Sequence, residues 1–517
     1  MPLNGLKTIN NNIKLLIEKS YTMNKLKKIL FVGILFTSTS FVNAQMNLTL
    51  ENAMDIALEN SPEIKQSRLT MEQNRQYLNA QLAALKSNFS LNVTPIEYSN
   101  NEVFDKFNAQ WYTNESVGAK GNLAVSQPIK LTDGRITLTN ELAYNDEYSE
   151  GTNTSFAGFS NNLYLSYNQP LFTYNRVKLN LKRYEYTLEN STLAYSIQML
   201  GMERQVTQAF YLIYQKQKLV QISEEEFENQ KVSLEIIKSK VEAGLSAQEE
   251  LLQAELNYYT SKSNVDNAIV DFENAKDEFK KLIGISLTDD FEIETNISYK
   301  PVLIDMDKAI ENGLAQRLEL TQRKIDLNSA ELDLIETSAN NEFRGDVDLS
   351  IGLRGNNENF INIYEEPTRT PMVGVTFAIP IFDWGARKAK IKAAELAVES
   401  KEIDIKSMED DIVISIRKIY RNLQNQTNQI KIAEQNDKNA QLTYEINLER
   451  YKNGDLTSID LERFQNQLSQ KKLDLSNALI SYKLELLNMK IQSLWDFENN
   501  RSFVPQEFQK NVSSNNE

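Results

Sequence analysis

The sequence predicts a mixed α+β membrane protein in which one strand-and-helix unit occurs twice. Segments with alternating apolar and polar residues, such as residues 346–353, indicate strands with two different faces. Long proline-free stretches with apolar residues at every seventh position indicate coiled-coil helices. Motifs that recur at fixed offsets along the chain indicate an internal duplication.

The composition argues against enzymes and nucleic-acid binding proteins. The 517 residues include no cysteine and no histidine, and the formal net charge is −15. Disulfides, thiolate zinc sites and Ser-His-Asp triads are therefore excluded, and the commonest metal ligand is missing. Phosphate-binding glycine motifs are also missing, and acidic charge opposes binding to nucleic acid. We expect no catalytic site, no cofactor, no metal and no nucleic-acid partner.

The first 44 residues look like a targeting segment. Residues 23–44 have a basic start, a short apolar run and a small residue, Ala44, before the predicted cut at Gln45. This pattern is typical of a secretory signal peptide. A membrane-anchoring helix is the alternative, but such a helix requires roughly 20 apolar residues, and the apolar run here is shorter. Residues 1–22 are predicted to be a non-native extension that precedes the true start codon.

The duplication is visible as motifs that repeat at two offsets. Gln-Pro-Leu-Phe at 169–172 recurs 210 residues later as Ile-Pro-Ile-Phe at 379–382, and Gly244 recurs as Gly454. Earlier positions match at an offset of 256, as Ala53 does with Ala309. The first copy therefore carries 46 additional residues, which lie within about 95–160.

The additional residues contain a hairpin signal. Asp133-Gly134 separates two alternating segments, and Asp-Gly is a favoured two-residue turn between antiparallel strands. The pairwise match of the flanking strands favours an extracellular elaboration. Two more strands in the wall of a barrel are the alternative.

The helical parts contain long uninterrupted segments. No proline lies between Pro170 and Pro301 or between Pro380 and Pro505, and seven-residue repeats run through both stretches. Beyond residue 45 no apolar run is long enough for a transmembrane helix, so the sequence predicts that only a β-barrel could span a membrane. The predicted first repeat covers 45–283, with strands within 89–172 and hairpin helices at 173–283 whose tip lies at 244. An equatorial connector at 284–302 leads to the second repeat at 303–495, with strands at 346–382 and hairpin helices at 383–495 whose tip lies at 454. A polar C-terminal tail follows at 496–517.

Several motifs resemble those of one family. Leu-Thr-Leu-Glu-Asn-Ala at 48–53, Ala-Leu-Glu-Asn-Ser-Pro at 57–62, the motif at 169–172 and Tyr-Lys-Asn-Gly at 451–454 are similar to motifs of the TolC family of outer-membrane efflux and secretion proteins. The resemblance covers residues 46–495. It implies a homotrimer in the cell outer membrane, in which four strands per chain form a 12-stranded transmembrane β-barrel continued by a long periplasmic α-helical barrel.

The resemblance also implies a function. We expect the exit duct of a tripartite efflux or type I secretion system, which conducts substrates passively. The implied partners are a periplasmic membrane-fusion adaptor, an inner-membrane pump of the RND, ABC or MFS type, and outer-membrane lipid. The alternative is a periplasmic or surface coiled-coil scaffold without a channel, which the strands flanking each long helix disfavour.

In the family, the helical hairpin tips close the periplasmic end of the tunnel. By position, the resemblance assigns a gate or constriction to Tyr451, Asp460, Glu249 and Glu250. Leu456 stands where the family usually has an arginine. Packing on the coiled-coil seam is the alternative for Tyr451, and ordinary solvated charge is the alternative for the carboxylates. The resemblance assigns contact with the adaptor to the tip residues Gly244, Leu245, Ser246, Gly454, Asp455, Leu456, Thr457 and Ser458.

Overall fold

A computed structural model describes residues 46–107, 109–293, 299–340 and 342–504. The predicted extension, the predicted signal peptide and residues 505–517 of the predicted tail lie outside the described residues. The described chain divides into two compact units. The smaller unit contains strand β1 (Met46–Leu48), which pairs in parallel with β6 (Phe291–Ile293) and buries Leu48 and Phe291. Strand β6 lies within the predicted connector.

An antiparallel sheet forms one part of the larger unit. Its strands are β2 (Asn88–Asp105), β3 (Gln110–Ile129), β4 (Gly134–Ser149), β5 (Thr154–Leu171), β7 (Arg344–Asn357), β8 (Thr368–Arg369) and β9 (Met372–Ala378). The long strands are ordered β2-β3-β4-β5-β7-β9, and the two-residue β8 also pairs with β7. All neighbours within this sheet are antiparallel.

The predicted count of four strands per chain is wrong, because the sheet contains six long strands. The additional residues form β3 and β4, which insert between β2 and β5 and pair with them along their length. The preference for an extracellular elaboration is therefore also wrong. The sheet accepts the hairpin because Asp133, at φ +61°, turns the chain tightly, and because both strands carry the alternation of their neighbours.

One face of the sheet is apolar across the inserted strands as well as the others. A row of consecutive cross-strand partners on this face consists of Phe89, Val125, Leu138, Leu165 and Ile351. Phe89 is 70% exposed and Ile351 is 60% exposed. A folded chain does not leave such a row in water without a reason, so this face needs an apolar environment.

The opposite face is polar. Its neighbouring row consists of Ser126, Thr137, Ser166 and Ser350, again as consecutive partners. Aromatic pairs lie towards both ends of the sheet, among them Phe104–Trp111 with ring centroids 5.3 Å apart and Phe343–Phe377 at 5.6 Å. An apolar face flanked by aromatic residues and backed by a polar face is the pattern of membrane-spanning strands.

The helices repeat in the same order in both halves. They are α1 (Leu50–Asn60), α2 (Pro62–Ala84), α3 (Arg176–Glu242), α4 (Gln248–Ile283), α5 (Met306–Gln316), α6 (Leu318–Asn340), α7 (Ala386–Asn453) and α8 (Ser458–Ser493). Ser61 interrupts the first pair of short helices before Pro62, and Arg317 interrupts the second pair at the matching position. None of the described helices is long and apolar enough to cross a membrane.

The long helices pack as coiled-coil seams. Helix α3 has 67 residues and α7 has 68, so each spans about 100 Å at 1.5 Å per residue. In α7 the seven-residue repeat buries Ile416, Leu423 and Ile430. Asp437 continues this repeat, and its buried Oδ1 atom has no hydrogen-bond partner within the described part of the chain.

The first residues of the predicted polar tail are folded. Strand β10 (Trp495–Asp496) pairs antiparallel with β11 (Arg501–Ser502). This hairpin buries the Asp496 side chain, which is 2% exposed. The start of the tail therefore places the buried Asp496 carboxylate against helix α8, where it pairs with Lys490.

Candidate functional site at the helical hairpin tips

The first hairpin tip connects α3 to α4 through Gly244. Its φ of +75° lies in the left-handed region that glycine adopts without strain. The Gly244 N–H donates to the Val241 carbonyl at 3.0 Å, and the Leu245 N–H donates to the Lys240 carbonyl at 2.8 Å. These two bonds form the glycine-dependent motif that commonly ends a helix.

The second tip connects α7 to α8 in the same way. Gly454 has a φ of +87°, and its N–H donates to the Tyr451 carbonyl at 3.1 Å. The Asp455 N–H donates to the Arg450 carbonyl at 2.9 Å. The duplicated glycines therefore end the long helix at both tips with the same backbone conformation and the same pair of hydrogen bonds.

The returning helices begin differently. Thr457 caps α8, because its Oγ1 accepts from the Asp460 N–H at 3.2 Å and donates to the Asp460 carboxylate at 2.7 Å. Ala247 occupies the equivalent place before α4 and makes no side-chain cap. Asp460 thus has a defined structural role in stabilising the start of α8.

Tyr451 joins the two hairpins. The residue is 1% exposed, and its hydroxyl lies 3.2 Å from Ser233 Oγ on α3. The Lys240 ammonium of α3 lies 4.9 Å from the ring centroid and donates to the Tyr451 carbonyl at 3.3 Å. Burial raises the pKa of the Tyr451 phenol above its ordinary value, so the hydroxyl stays protonated at neutral pH.

Tyr451 also lies in an apolar cluster between the hairpins. The buried members of the cluster are Ile237, Ala254, Ala440, Tyr444, Tyr451, Leu461 and Leu468. Leu456, which stands where the family resemblance implied an arginine, packs against this cluster. The side chain at this position of the second tip therefore makes apolar contacts.

The remaining predicted residues lie on the first turns of the returning helices. Glu250 accepts a hydrogen bond from the Ser246 hydroxyl, and its charge helps to raise the Tyr451 pKa. Glu249 is exposed. Among the described residues, no hydrogen bond joins Asp460 to either glutamate. Within one chain, the structure brings Glu250 towards Tyr451 and leaves Asp460 with Thr457.

A second polar region, which the sequence does not reveal, surrounds Glu203 on α3. A cavity of about 630 Å³ is lined by α1, α3, α8 and residues 496–503. Burial raises the pKa of the Glu203 carboxyl to about 7, while Lys490 opposes the rise and Asp496 adds to it. Lys490 itself lies 3.0 Å from Asp496. No motif marks Glu203, because its neighbours come from distant parts of the chain.

Comparison with known proteins identifies the family of the chain. A model of the outer membrane efflux protein family matches residues 135–284 and 337–490, one segment in each repeat. No curated protein sequence matches the chain significantly.

Among solved structures, the CmeC outer membrane channel of Campylobacter jejuni is similar, with a TM-score of 0.67 and 15% identity over 90% of this chain and 88% of that one. The outer membrane protein VceC of Vibrio cholerae has a TM-score of 0.63 and 13% identity over 86% and 95%. The open state of the MtrE outer membrane channel of Neisseria gonorrhoeae has a TM-score of 0.62 and 12% identity over 88% and 90%.

The fold and the duplicated tips thus define an outer-membrane channel with a long periplasmic helical extension. The chain belongs to the outer membrane efflux protein family. Its function is that of an outer-membrane exit duct for efflux, and the mixed α+β fold with internal duplication is confirmed. The coiled-coil scaffold without a channel receives no support.

Proposed function

We propose that three copies of the chain form one duct, whose periplasmic end is closed by the helical hairpin tips. The observation that carries this proposal is the two-faced sheet of a channel-family chain. Its outer strands β2 and β9 each pair with one long neighbour in the described chain, which leaves unpaired edges beside an apolar face. Unpaired edges in lipid are costly, so closure requires further copies.

The tip contacts favour Tyr451 as the residue that holds the closed state. It connects α7 to α3 through Ser233 and Lys240, so the two hairpins of one chain move together while these contacts persist. An opening movement in which one hairpin of a chain moves away from the axis relative to the other breaks this buried contact. Because the phenol of Tyr451 is neutral, its contact with Ser233 does not require a charged side chain at position 456, which is occupied by Leu456.

The carboxylates at the tips supply the charge of the constriction. Asp460 and Glu250 are partly exposed and Glu249 is exposed. Three-fold symmetry places three copies of each carboxylate around the axis, where rings of carboxylates attract cations. The structural role of Asp460 as a capping partner is compatible with this, because a carboxylate at the start of a helix interacts favourably with the positive end of the helix dipole.

The partners follow from the exposed tips. Leu245 is 79% exposed at the first tip, and Gly454 and Asp455 are exposed at the second. Together with Ser246, Leu456 and Thr457, these residues offer a surface to the helical hairpin of a periplasmic membrane-fusion adaptor. Ser458, which the resemblance also assigned to this contact, is buried, so it supports the tip from within. The energy source belongs to an inner-membrane pump of the RND, ABC or MFS type, and the duct itself is passive.

Native mass spectrometry of the detergent-solubilised protein tests the assembly. We expect a trimer, and a monodisperse monomer would contradict the duct. Planar-bilayer recording then tests the closed state. Tyr451→Phe removes the bond to Ser233 and retains the ring, so we expect more frequent opening than in the wild type. Lys240→Gln should act in the same direction, and unchanged opening in the double variant would remove Tyr451 from the gate.

The acidic constriction has its own test. We expect Asp460→Asn to reduce cation preference in bilayer recordings, and the addition of Glu249→Gln and Glu250→Gln to reduce it further. Thr457→Ala is the matched control, because it weakens the cap of α8 and keeps every charge. Unchanged selectivity in the triple variant, or an equal loss in Thr457→Ala, would show that these carboxylates do not line the constriction.

A further inference from the structure

The chain continues beyond β9 with apolar residues that have no cover. Ile379 is 64% exposed and Ile381 is 92% exposed, although β9 ends at Ala378. The equivalent positions of the first repeat, Gln169 and Leu171, belong to β5. The same motif is therefore a strand where a neighbour is present and an uncovered segment where none is present.

On the edge away from β4, strand β5 pairs with β7, and the structure gives the register of this pairing. Leu171 lies opposite Gly345, Gln169 opposite Val347 and Tyr167 opposite Leu349. This pairing joins the end of the first repeat's strands to the start of the second repeat's strands. In a closed ring, the end of the second repeat's strands meets the start of the first repeat's strands in the next copy.

The duplication converts one pairing into the other. The offset of 210 maps β5 onto β9 and residues 379–381, and the offset of 256 maps β2 onto β7. Replacing each residue of the β5–β7 pairs by its repeat equivalent gives three new pairs, which are Ile381 with Phe89, Ile379 with Leu91 and Phe377 with Val93.

Resting on the trimer of the proposed function, we propose that β9 of one copy extends to Ile381 and pairs antiparallel with the start of β2 in the next copy, in this register. Three copies then close an 18-stranded barrel, because each contributes six long strands. The diameter of a barrel grows roughly linearly with strand number, so its width is about one and a half times that of the 12-stranded barrel implied by the family resemblance.

The side chains agree with this register. Phe89, Leu91 and Val93 are 70%, 66% and 64% exposed, and they belong to the apolar face of the sheet. The register places them beside apolar residues of β9 and its extension, whereas a slip of one residue would place them beside the polar face. The register shift in β2 after Thr94 limits the length of the pairing. Pro95 follows this residue and lacks an N–H, so it suits the end of a paired segment.

Disulfide formation tests the register, because the wild-type chain has no cysteine. Directly opposed residues of antiparallel strands have Cα atoms about 4.5–5.5 Å apart, which is within the range for a disulfide. We expect Leu91→Cys with Ile379→Cys to form covalent dimers and trimers on mild oxidation of isolated outer membranes. The slipped pairs Leu91→Cys with Phe377→Cys and Leu91→Cys with Ala378→Cys should crosslink about tenfold more slowly.

The outcomes separate this proposal from the trimer itself. Faster crosslinking of a slipped pair would overturn the register and leave the trimer intact. A trimer in native mass spectrometry without any crosslink would overturn closure through β2 and β9. A monomer in native mass spectrometry would overturn the proposed function as well.

Single-cysteine labelling tests the strand number. We expect Leu123→Cys and Leu138→Cys, on the apolar face of the inserted strands, to resist a water-soluble maleimide in membranes. Ser126→Cys and Thr137→Cys, on the opposite face of the same strands, should react because the lumen contains water. Equal labelling of both pairs would show that the inserted strands lie outside the lipid and would overturn the count of 18.

Discussion

The two repeats have long helices of nearly equal length but different numbers of long strands. Helices α3 and α7 differ by one residue in length, and α4 and α8 both have 36 residues. The first repeat nevertheless has four long strands where the second has two. Paired helices must end at the same level to pack, so an insertion there shifts the whole seam. An antiparallel hairpin can be inserted between two neighbouring strands of an antiparallel sheet, because its two outer edges form the same kind of hydrogen bonds that the separated strands made with each other.

The largest expected effect concerns the shared apolar face of the two strand sets. Val375→Asp with Phe377→Asp places two charges towards lipid in the second repeat, each costing less than the roughly 2–4 kcal/mol of an Arg or Lys at mid-depth. Leu123→Asp with Leu138→Asp does the same in the inserted hairpin. We expect both variants to disappear from outer-membrane fractions on immunoblots. The controls are Thr376→Asp and Thr137→Asp on the polar face, and failure of insertion in these would show a fault in folding only.

The next effect compares the two hairpin tips. Tyr451 and its repeat equivalent Val241 both lie near the end of a long helix, but only Tyr451 is fully buried. We expect Tyr451→Ala to destabilise the tips by about 3–5 kcal/mol, as for other buried aromatic residues. Val241→Ala should cost about 1 kcal/mol because it is partly exposed and smaller. Limited proteolysis of the tips measures both, and equal susceptibility would contradict the role of Tyr451 in joining the hairpins.

A pH-dependent difference separates Glu203 from its repeat equivalent, which is Val413. The Glu203 pKa rises to about 7, so the folded state favours the neutral carboxyl. Below the ordinary pKa of 4.5 the group is neutral in both states and imposes no penalty. The penalty grows as the pH rises from 4.5 to about 7 and then stays constant, at up to about 3 kcal/mol.

Glu203→Gln should therefore raise the thermal midpoint at pH 8 and leave it nearly unchanged at pH 4.5, as measured by circular dichroism in detergent. The matched control is Glu225→Gln, a substitution on the same helix at a carboxylate that pairs with Lys472 at the surface. A stabilisation by Glu203→Gln that is independent of pH would show that its burial, and not its charge, is unfavourable.

The smallest expected effect concerns the helix caps. Thr457 caps α8, whereas Ala247 leaves α4 uncapped. Thr457→Ala should cost about 1 kcal/mol, and Ala247→Ser should contribute a similar stabilisation to the first tip. Hydrogen exchange of the first turn of each returning helix measures both changes. If Ala247→Ser slows no exchange, the chain geometry before α4 does not permit a cap.

The family resemblance and the duplication were predictable because they depend on local patterns. Gly244 and Gly454 mark the tips since few other residues adopt a positive φ there, and the seven-residue repeat follows from helix geometry. The place of the inserted hairpin was not predictable in this way. Residues 110–149 alternate as any strand pair does, and alternation alone does not say which neighbour a strand will choose.

The sequence by itself determined the periods, the turns and the repeated order of elements, because each depends on the preferences of adjacent residues. The tertiary structure decided that the sheet has six long strands, that Tyr451 contacts Ser233 and Lys240, and that Glu203 lies beside Lys490 and Asp496. These features depend on which surfaces meet across hundreds of residues. The free energy of such contacts comes from burial and pairing between distant segments, and no local pattern in the sequence records it.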